Sequence, residues 1–400
     1  MDPNLRNQET RLEGLAGGQL KQLQAAELIL LEEFINVCDE MGLVYYVLFG
    51  TLLGAVRHRG FIPWDDDIDV AMPRKDYDIL RGSGDRFAPP LFLQTPENDR
   101  GACPRFMSLR NSGTTYVRNG MISGLTGYGH MGCGIDILPL DGAPSGRAAD
   151  ITRNLADKIH KLRVKRAAVE QGQWGRFPMW KKLLSFPGLF SPFSYKALTD
   201  MYHRVCSIES KRIESKSIEG QRSRYYIIPV MRDRILLEKI WFKDRVSLDF
   251  EHLRIAAPAG YADIIRALYG GAVTPPAEEQ TPKHTAVFYP NIPYATYMRR
   301  YTDIFADLSD NTVLLFGAGG VMKSYMRQFR RRRKPAAVFD NDPAKWGKTI
   351  HGIYVRPPEC LYEYPEARII ITSLYHAEIG RQLENMGLNN YFVFVDGWEY

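Results

Sequence analysis

Between Trp64 and Val70 the chain places four carboxylates in five positions, Asp65, Asp66, Asp67 and Asp69, with apolar residues of the kind that form sheet core on either side. An extended chain alternates its side chains between two faces. Asp65, Asp67 and Asp69 are therefore expected on one face, with Ile68 and Val70 anchored beside them and Asp66 pointing away. Carboxylates this close repel by roughly 1 kcal/mol per pair even in water. No basic residue lies inside the run, so a bound cation is the economical counter-charge. Hard oxygen ligands facing one side suit Mg²⁺ or Mn²⁺, which use one or two carboxylates together with substrate phosphates. Asp67 and Asp69 are the leading ligands and Asp65 a further one. A solvated acidic loop is the plain alternative, and the apolar flanks speak against it.

The elements that must position these acids read as follows. An amphipathic helix runs from about Gly18 to Met41. Leu43–Phe49 is an apolar run expected to be a strand, and Gly50-Thr51 a tight turn after it. A glycine there lets backbone N–H groups approach a phosphate, and Thr51 adds a hydroxyl. Arg57, His58 and Arg59 bring positive charge to the same loop, with Arg57 suited to bidentate phosphate contact. His58 reads equally well as a catalytic or a structural histidine. Asp141, just before Gly142, reads as a turn residue.

A strand, a Gly-Thr turn and then Asp-apolar-Asp resemble the signature of the nucleotidyltransferase superfamily. The uninterrupted string Gly50-Thr51-Leu52-Leu53-Gly54-Ala55-Val56-Arg57-His58, with Gly60-Phe61-Ile62-Pro63-Trp64-Asp65-Asp66-Asp67-Ile68-Asp69, resembles the LicD family in particular. That family includes bacterial phosphocholine transferases and is similar to fukutin-related protein, a ribitol-phosphate transferase. The resemblance implies a third catalytic carboxylate on a later strand, and Asp136, alone between Ile135 and Ile137, supplies it. It also extends to Leu268-Tyr269-Gly270-Gly271 and to a closing segment from Thr274 to His284. There the chain departs from the family pattern at Gly271 and Gln280, and His284 is a substrate-contacting candidate. The implied reaction is metal-dependent transfer of a phospho-alcohol group from a CDP-activated donor to a cell-surface glycan or its lipid-linked precursor. Asp67, Asp69 and Asp136 would be catalytic, and Gly50, Thr51, Arg57 and His58 would hold the donor. Nucleotidyl transfer with pyrophosphate release, sugar-phosphate transfer and a non-catalytic scaffold for glycan assembly are the competing readings.

The expected fold class is α/β. A mixed, nucleotidyltransferase-like sheet with helices fills residues 1–300, including a basic insertion at about 151–245, and a small Rossmann-like parallel domain fills 310–400. In the second unit Asn311–Phe316, Ala336–Asp340 and Arg368–Ser373 read as strands, with Tyr391–Val395 as a last one. Helices are expected at Val321–Phe329 and near His376–Met386. Gly317, Gly319 and Gly320 form a phosphate-type turn whose third fingerprint glycine is replaced by Met322, and Asp340 stands where a ribose-binding acid would. These four residues are the nucleotide-binding candidates of that unit, which reads equally as a module without a ligand.

Four hundred residues with 45% apolar content suffice for a sizeable core. The five cysteines are scattered and form no Cys-x-x-Cys pair, arguing against a disulfide framework or a zinc site and for a reducing cytoplasm. No signal peptide or membrane span is expected, so the location read from the sequence is cytoplasmic, with peripheral contact at the inner face of the plasma membrane as an extension. Net charge is +6. The stretch from Ile151 to Arg245 is much more basic than the rest, with 21 Lys and Arg against 9 Asp and Glu. Within it the Trp174–Phe193 segment mixes aromatic and basic residues. That is the composition of a segment at an anionic membrane surface and equally of a Pro-broken loop packed on the core. No recognition motif accompanies the charge, so nucleic acid is not an expected partner.

Overall fold

The computed structural model describes residues 17–118, 129–142, 147–171, 192–215, 225–227, 236–270, 286–306 and 312–395. Helix α1 (Gly17–Met41) buries Leu20, Leu23, Leu30, Leu31, Phe34 and Val37, a 3.6-residue stripe that sets it against the first sheet. Strand β1 (Tyr46–Val47) is only two residues long, and helix α2 (Phe49–His58) starts immediately after it. Both expectations for this stretch are therefore corrected. The apolar run is a short strand, and Gly50 and Thr51 lie buried in the first turn of a helix rather than in a tight turn. Phe49 carries the change of direction with a left-handed φ of 50°.

Strand β2 (Asp69–Pro73) is followed by α3 (Arg74–Arg81), β3 (Leu91–Gln94), β4 (Met107–Asn111), β5 (Thr115–Arg118) and β6 (Gly134–Gly142). The main sheet has the order β1-β2-β6-β4-β3, parallel between β2 and β6 and antiparallel elsewhere on this path. Helix α4 (Arg147–Glu170) and α5 (Tyr195–Ser215) pack on each other, and β7 (Tyr225–Ile227) and β8 (Leu236–Glu238) extend the sheet from the far end of β6. The aromatic, basic segment falls outside the described residues except for its last two positions.

A hairpin of β9 (Arg245–Phe250) and β10 (Leu253–Pro258) leads to α6 (Tyr261–Tyr269). Strand β11 (Ala286–Tyr289) returns to pair antiparallel with β5, setting Ala286 opposite Arg118 and Phe288 opposite Tyr116. Helix α7 (Tyr294–Thr302) then reaches a second sheet. It comprises β12 (Val313–Phe316), β13 (Ala337–Phe339), β14 (Thr349–Ile350), β15 (Ile353–Arg356), β16 (Arg368–Ile371) and β17 (Tyr391–Val393), with α8 (Gly320–Phe329) and α9 (His376–Asn385) as crossovers. The order β14-β15-β13-β12-β16-β17 is parallel except at the β14 edge and reverses direction of growth between β12 and β16. The α/β class follows from both sheets. Strand β15, which the sequence reading did not anticipate, pairs parallel with β13.

One apolar cluster crosses the boundary expected near residue 310, joining Val117, Met131, Val287, Tyr297 and Tyr301 to Leu314, Phe316 and Ile371. Polar contacts reinforce it: Tyr289 and Tyr391 each donate a hydroxyl to the Glu384 carboxylate, and Arg300 stacks over Tyr391 at 4.1 Å.

Candidate active site

Pro63 and Trp64 turn the chain just before the acids, so Asp65, Asp66 and Asp67 are not in extended strand and do not alternate. Their carboxylate oxygens all lie within 4.8 Å of one another. The expectation that Asp66 points away is thus corrected: it is fully buried, and the Tyr116 hydroxyl donates to its Oδ2 at 3.3 Å. Asp69 alone of the four begins a strand. Its backbone N–H donates to Thr51 Oγ1 at 2.9 Å, and Leu48 N–H donates to its carbonyl at 3.1 Å, pinning the start of β2 to the start of α2. The Gln24 amide donates to the Asp65 carbonyl at 2.9 Å.

Gly50 serves this packing directly. A Cβ at Gly50 would stand 2.3 Å from Asp65 Oδ2, so the helix can approach the carboxylate only without a side chain there. The residue expected to admit a phosphate is thus occupied in admitting Asp65, and Thr51 in holding Asp69.

Parallel pairing of β2 with β6 sets Asp69 opposite Asp136, and cross-strand partners present their side chains to the same face. Asp136 accepts from Ser108 Oγ at 2.8 Å across the β4 pair. Arg110, two residues along β4, donates to Gln94 and to the Gly132 carbonyl, and its guanidinium lies within electrostatic reach of Asp136.

Three residues that the sequence reading did not place at the site complete the surroundings. Arg118 comes in from β5. Burial alone would lower its pKa, yet Tyr116, Asp136, Asp67 and Asp66 together hold it above the ordinary arginine range. The inference that nothing basic lies inside the cluster is therefore corrected; β5 brings in a cation from about 50 residues downstream of the run. Tyr269, at the end of α6, is pushed up to about 12 by burial and by Asp65, Asp69 and Asp67. Glu27 of α1 is fully buried, and its pKa is driven well up by burial and then by Asp67, with Asp66 and Asp65 adding to it. Sequence spacing carried a signal for Glu27, which sits on the apolar stripe of α1 where Leu23 and Leu30 are core. Nothing local marked Arg118, and Tyr269 was read only as part of the family-like Leu268-Tyr269-Gly270-Gly271 string without a role at the site, because strand pairing and helix packing bring them in.

Arg57 lies in the last turn of α2 and is felt electrostatically by Tyr269, while His58 is exposed beside it. His284 and the Thr274–Glu279 segment lie outside the described residues. Asp141, expected in a turn, is corrected to a fully buried strand residue that receives both Arg74 Nε at 2.7 Å and Arg74 Nη2 at 2.5 Å, with Ser210 Oγ at 3.0 Å.

In the second sheet, Asp340 accepts from Ala318 N–H at 2.7 Å, from Asp342 N–H at 2.9 Å and from Lys345 Nζ. The acid proposed for a ribose thus anchors the glycine turn itself. Gly317 has φ 113°, and a Cβ there would sit 2.7 Å from the Thr372 carbonyl. Gly319 caps α8 and Gly320 opens it; neither has an atom within 4 Å of where a Cβ would stand.

Residues 42–87 match the LicD/FKTN/FKRP nucleotidyltransferase domain. The chain is 42% identical over 79 residues to the lipopolysaccharide cholinephosphotransferase LicD of Haemophilus influenzae, covering 20% of this chain and 27% of that protein. It is 34% identical over 74 residues to an uncharacterized protein of Rickettsia typhi, 17% of this chain and 24% of that one. A third relative, from Rickettsia prowazekii, is 40% identical over 47 residues, 12% of this chain and 18% of its own length. The chain therefore spans about a quarter or less of each of these relatives. Over residues 42–87, which hold the Asp65–Asp69 cluster and the helix that cradles it, the chain is similar to the nucleotidyltransferase domain of the LicD family.

Proposed function

We propose that the chain transfers a phospho-alcohol group, of the choline phosphate or ribitol phosphate kind, from a CDP-activated donor to a hydroxyl of a cell-surface glycan or its lipid-linked precursor. The observation that carries this reading is the meeting of two features. Three carboxylates converge next to the in-register pair Asp69–Asp136, and residues 42–87, which bear four of these five, match the LicD/FKTN/FKRP nucleotidyltransferase domain.

An oxygen-only donor set fits a hard divalent ion, and Asp65, Asp66, Asp67 and Asp69 would hold Mg²⁺ or Mn²⁺. Bound there, the ion supplies neutralisation and polarisation of the donor's phosphate oxygens. Arg118, set among Asp66, Asp67 and Asp136, offers a fixed guanidinium to the same phosphates. Asp136 takes the proton of the acceptor hydroxyl, its orientation fixed by Ser108. The acceptor oxygen forms a bond to the β-phosphorus, the bond from that phosphorus to the bridging oxygen breaks, and CMP leaves.

The test is product analysis with a panel of CDP-linked alcohols, a lipopolysaccharide acceptor and Mg²⁺. CMP release together with a phospho-alcohol on the glycan supports the proposal. Pyrophosphate release with a nucleotide on the acceptor replaces it by nucleotidyl transfer, and no turnover with any donor favours the scaffold reading. Among the described residues no helix is long and apolar enough to cross a membrane. A lipid-linked acceptor would therefore be met at the membrane surface, which flotation with anionic vesicles checks.

A further inference from the structure

Glu27 is the anomaly of the molecule. It is a carboxyl with no solvent exposure, and neither Oε1 nor Oε2 has a hydrogen-bond partner. Leaving a buried polar group without a partner costs about 1–3 kcal/mol, and more for a charged one. The position itself asks for an apolar residue, since α1 buries Leu20, Leu23, Leu30, Leu31 and Phe34 along the same stripe. A leucine there would continue the helix face at no such cost. Its electrostatic neighbours, in order of strength, are Asp67, Arg118, Asp66 and Asp65. The acid thus lies in the protein interior within electrostatic reach of the carboxylate trio. It stands outside the tight group in which the Asp65, Asp66 and Asp67 oxygens lie within 4.8 Å of one another.

From the orphaned buried carboxyl and the bond by which its own helix holds the Asp65 backbone, we infer that Glu27 is an interior carboxyl of the cation site, acting through the coordinated water of the ion rather than as a direct ligand. Mg²⁺ sheds water reluctantly and keeps several waters when protein-bound, and these are the donors that both Glu27 oxygens lack. Residues just outside the ligand set orient the ligands and the water, and their loss typically weakens metal affinity about 10–100-fold. The role falls to α1, outside the acid run and outside the 42–87 match. Gln24, one turn earlier on the same helix, already holds the Asp65 carbonyl. One helix thereby fixes the backbone of the trio and faces its carboxylates.

This inference rests on the proposal that the trio binds a divalent ion, and the experiment separates the two. Mn²⁺ affinity of the full-length chain is measured by electron paramagnetic resonance of the free ion, in wild type, Asp67→Asn and Glu27→Gln, with melting temperatures recorded in EDTA. The expected result is tight binding in wild type, loss in Asp67→Asn, and 10–100-fold weaker binding in Glu27→Gln with an EDTA melting temperature at or above that of wild type. Should Glu27→Gln not fold, Glu27→Asp, which retains the carboxyl group on a shorter arm, is expected to bind Mn²⁺ measurably more weakly. Glu27 variants that bind as wild type does while Asp67→Asn does not would overturn this inference alone. A wild-type chain that binds no Mn²⁺ would overturn it together with the cation site.

Discussion

Strand β6 carries two aspartates five residues apart, and the chain treats them in opposite ways. Asp141 is fully buried, receives Arg74 through two parallel N–H bonds and takes a third bond from Ser210. Asp136 accepts from the neutral hydroxyl of Ser108 and faces a second acid, Asp69, in register on β2. Charge at the first end is closed off inside the fold. At the second end the carboxyl groups of Glu27, Asp65, Asp66, Asp67, Asp69 and Asp136 gather around fewer cations, Arg57, Arg110 and Arg118. A fold that can neutralise an aspartate so completely at one end of a strand, and concentrates acids at the other, has gathered its negative charge where the proposed cation would bind.

Substitutions at the two ends test this contrast most strongly. Asp67→Asn, Asp69→Asn or Asp136→Asn is expected to lower turnover at least ~10³-fold, in the range seen when a group acting on transition-state charge is removed. The melting temperature should hold or rise, because acid–acid repulsion is relieved. Retained turnover in the Asp67 and Asp69 variants would sink the assignment of the site. Asp141→Asn should do the reverse: it takes the bidentate partner from buried Arg74 and leaves it Asp78 at 3.4 Å, at a cost of about 3–5 kcal/mol of stability in urea unfolding. Whatever folds should keep its Mn²⁺ affinity. Metal sharpens the separation further. At Mn²⁺ concentrations of 100 Kd the wild type and Arg74→Met should gain about 2.7 kcal/mol and Asp67→Asn nothing.

Gly50→Ala is the subtler probe. The added methyl meets Asp65 Oδ2, so the expected loss is of the order of 10²-fold in turnover, as for a catalytic group displaced by about 1 Å, with little change in helix content.

The smallest effect is in pH. Burial lowers His130 and His160 to about 3 and His376 to about 4. Their unfolded value lies near 6.5. The unfolded chain therefore binds more protons below that pH, so this contribution is complete above about 6.5 and is lost as pH falls toward the folded values. Each histidine adds a slope of up to about 1.4 kcal/mol per pH unit. His130, which donates from Nε2 to Ser112 and accepts the Gly132 N–H at Nδ1, leads into the Asp136 end of β6. His130→Gln should flatten the urea midpoint between pH 6.5 and 5 by about a third of this three-histidine slope. An unchanged slope would remove His130 from the account.

Much of this was readable from the chain. The stripe of α1, the strand carrying Asp69 and the alternating elements beyond Thr312 declare themselves through short-range periodicity, while the later strand carrying Asp136 was found through the family resemblance. The errors share one cause. Asp65–Asp67 were read with the two-residue period of a strand, but Pro63-Trp64 bends the chain and lets three consecutive acids converge. Arg118 and Tyr269 enter through packing of segments far apart in sequence, which no local window contains. Asp141 looked like a turn because Gly142 follows it, and Arg74 became visible only when α3 folded back onto β6. Glu27 was legible as an acid on an apolar stripe, the kind of local rule-breaking that marks a site.

The backbone N–H of Phe61 donates to the Glu251 side chain, and Glu251 N–H donates to the Arg59 carbonyl. Those bonds tie the loop leading into the acid run to the β9–β10 turn, and Arg118 waits on β11 in the same way. During synthesis, which proceeds at about 5–20 residues per second, residues 42–87 leave the ribosome many seconds before either partner exists. The acids must spend that interval without their enclosing walls. Ribosome-bound chains halted before and after β11 should therefore differ sharply in protease resistance across residues 59–69, and the site is born with the emergence of β11 rather than with its own motif.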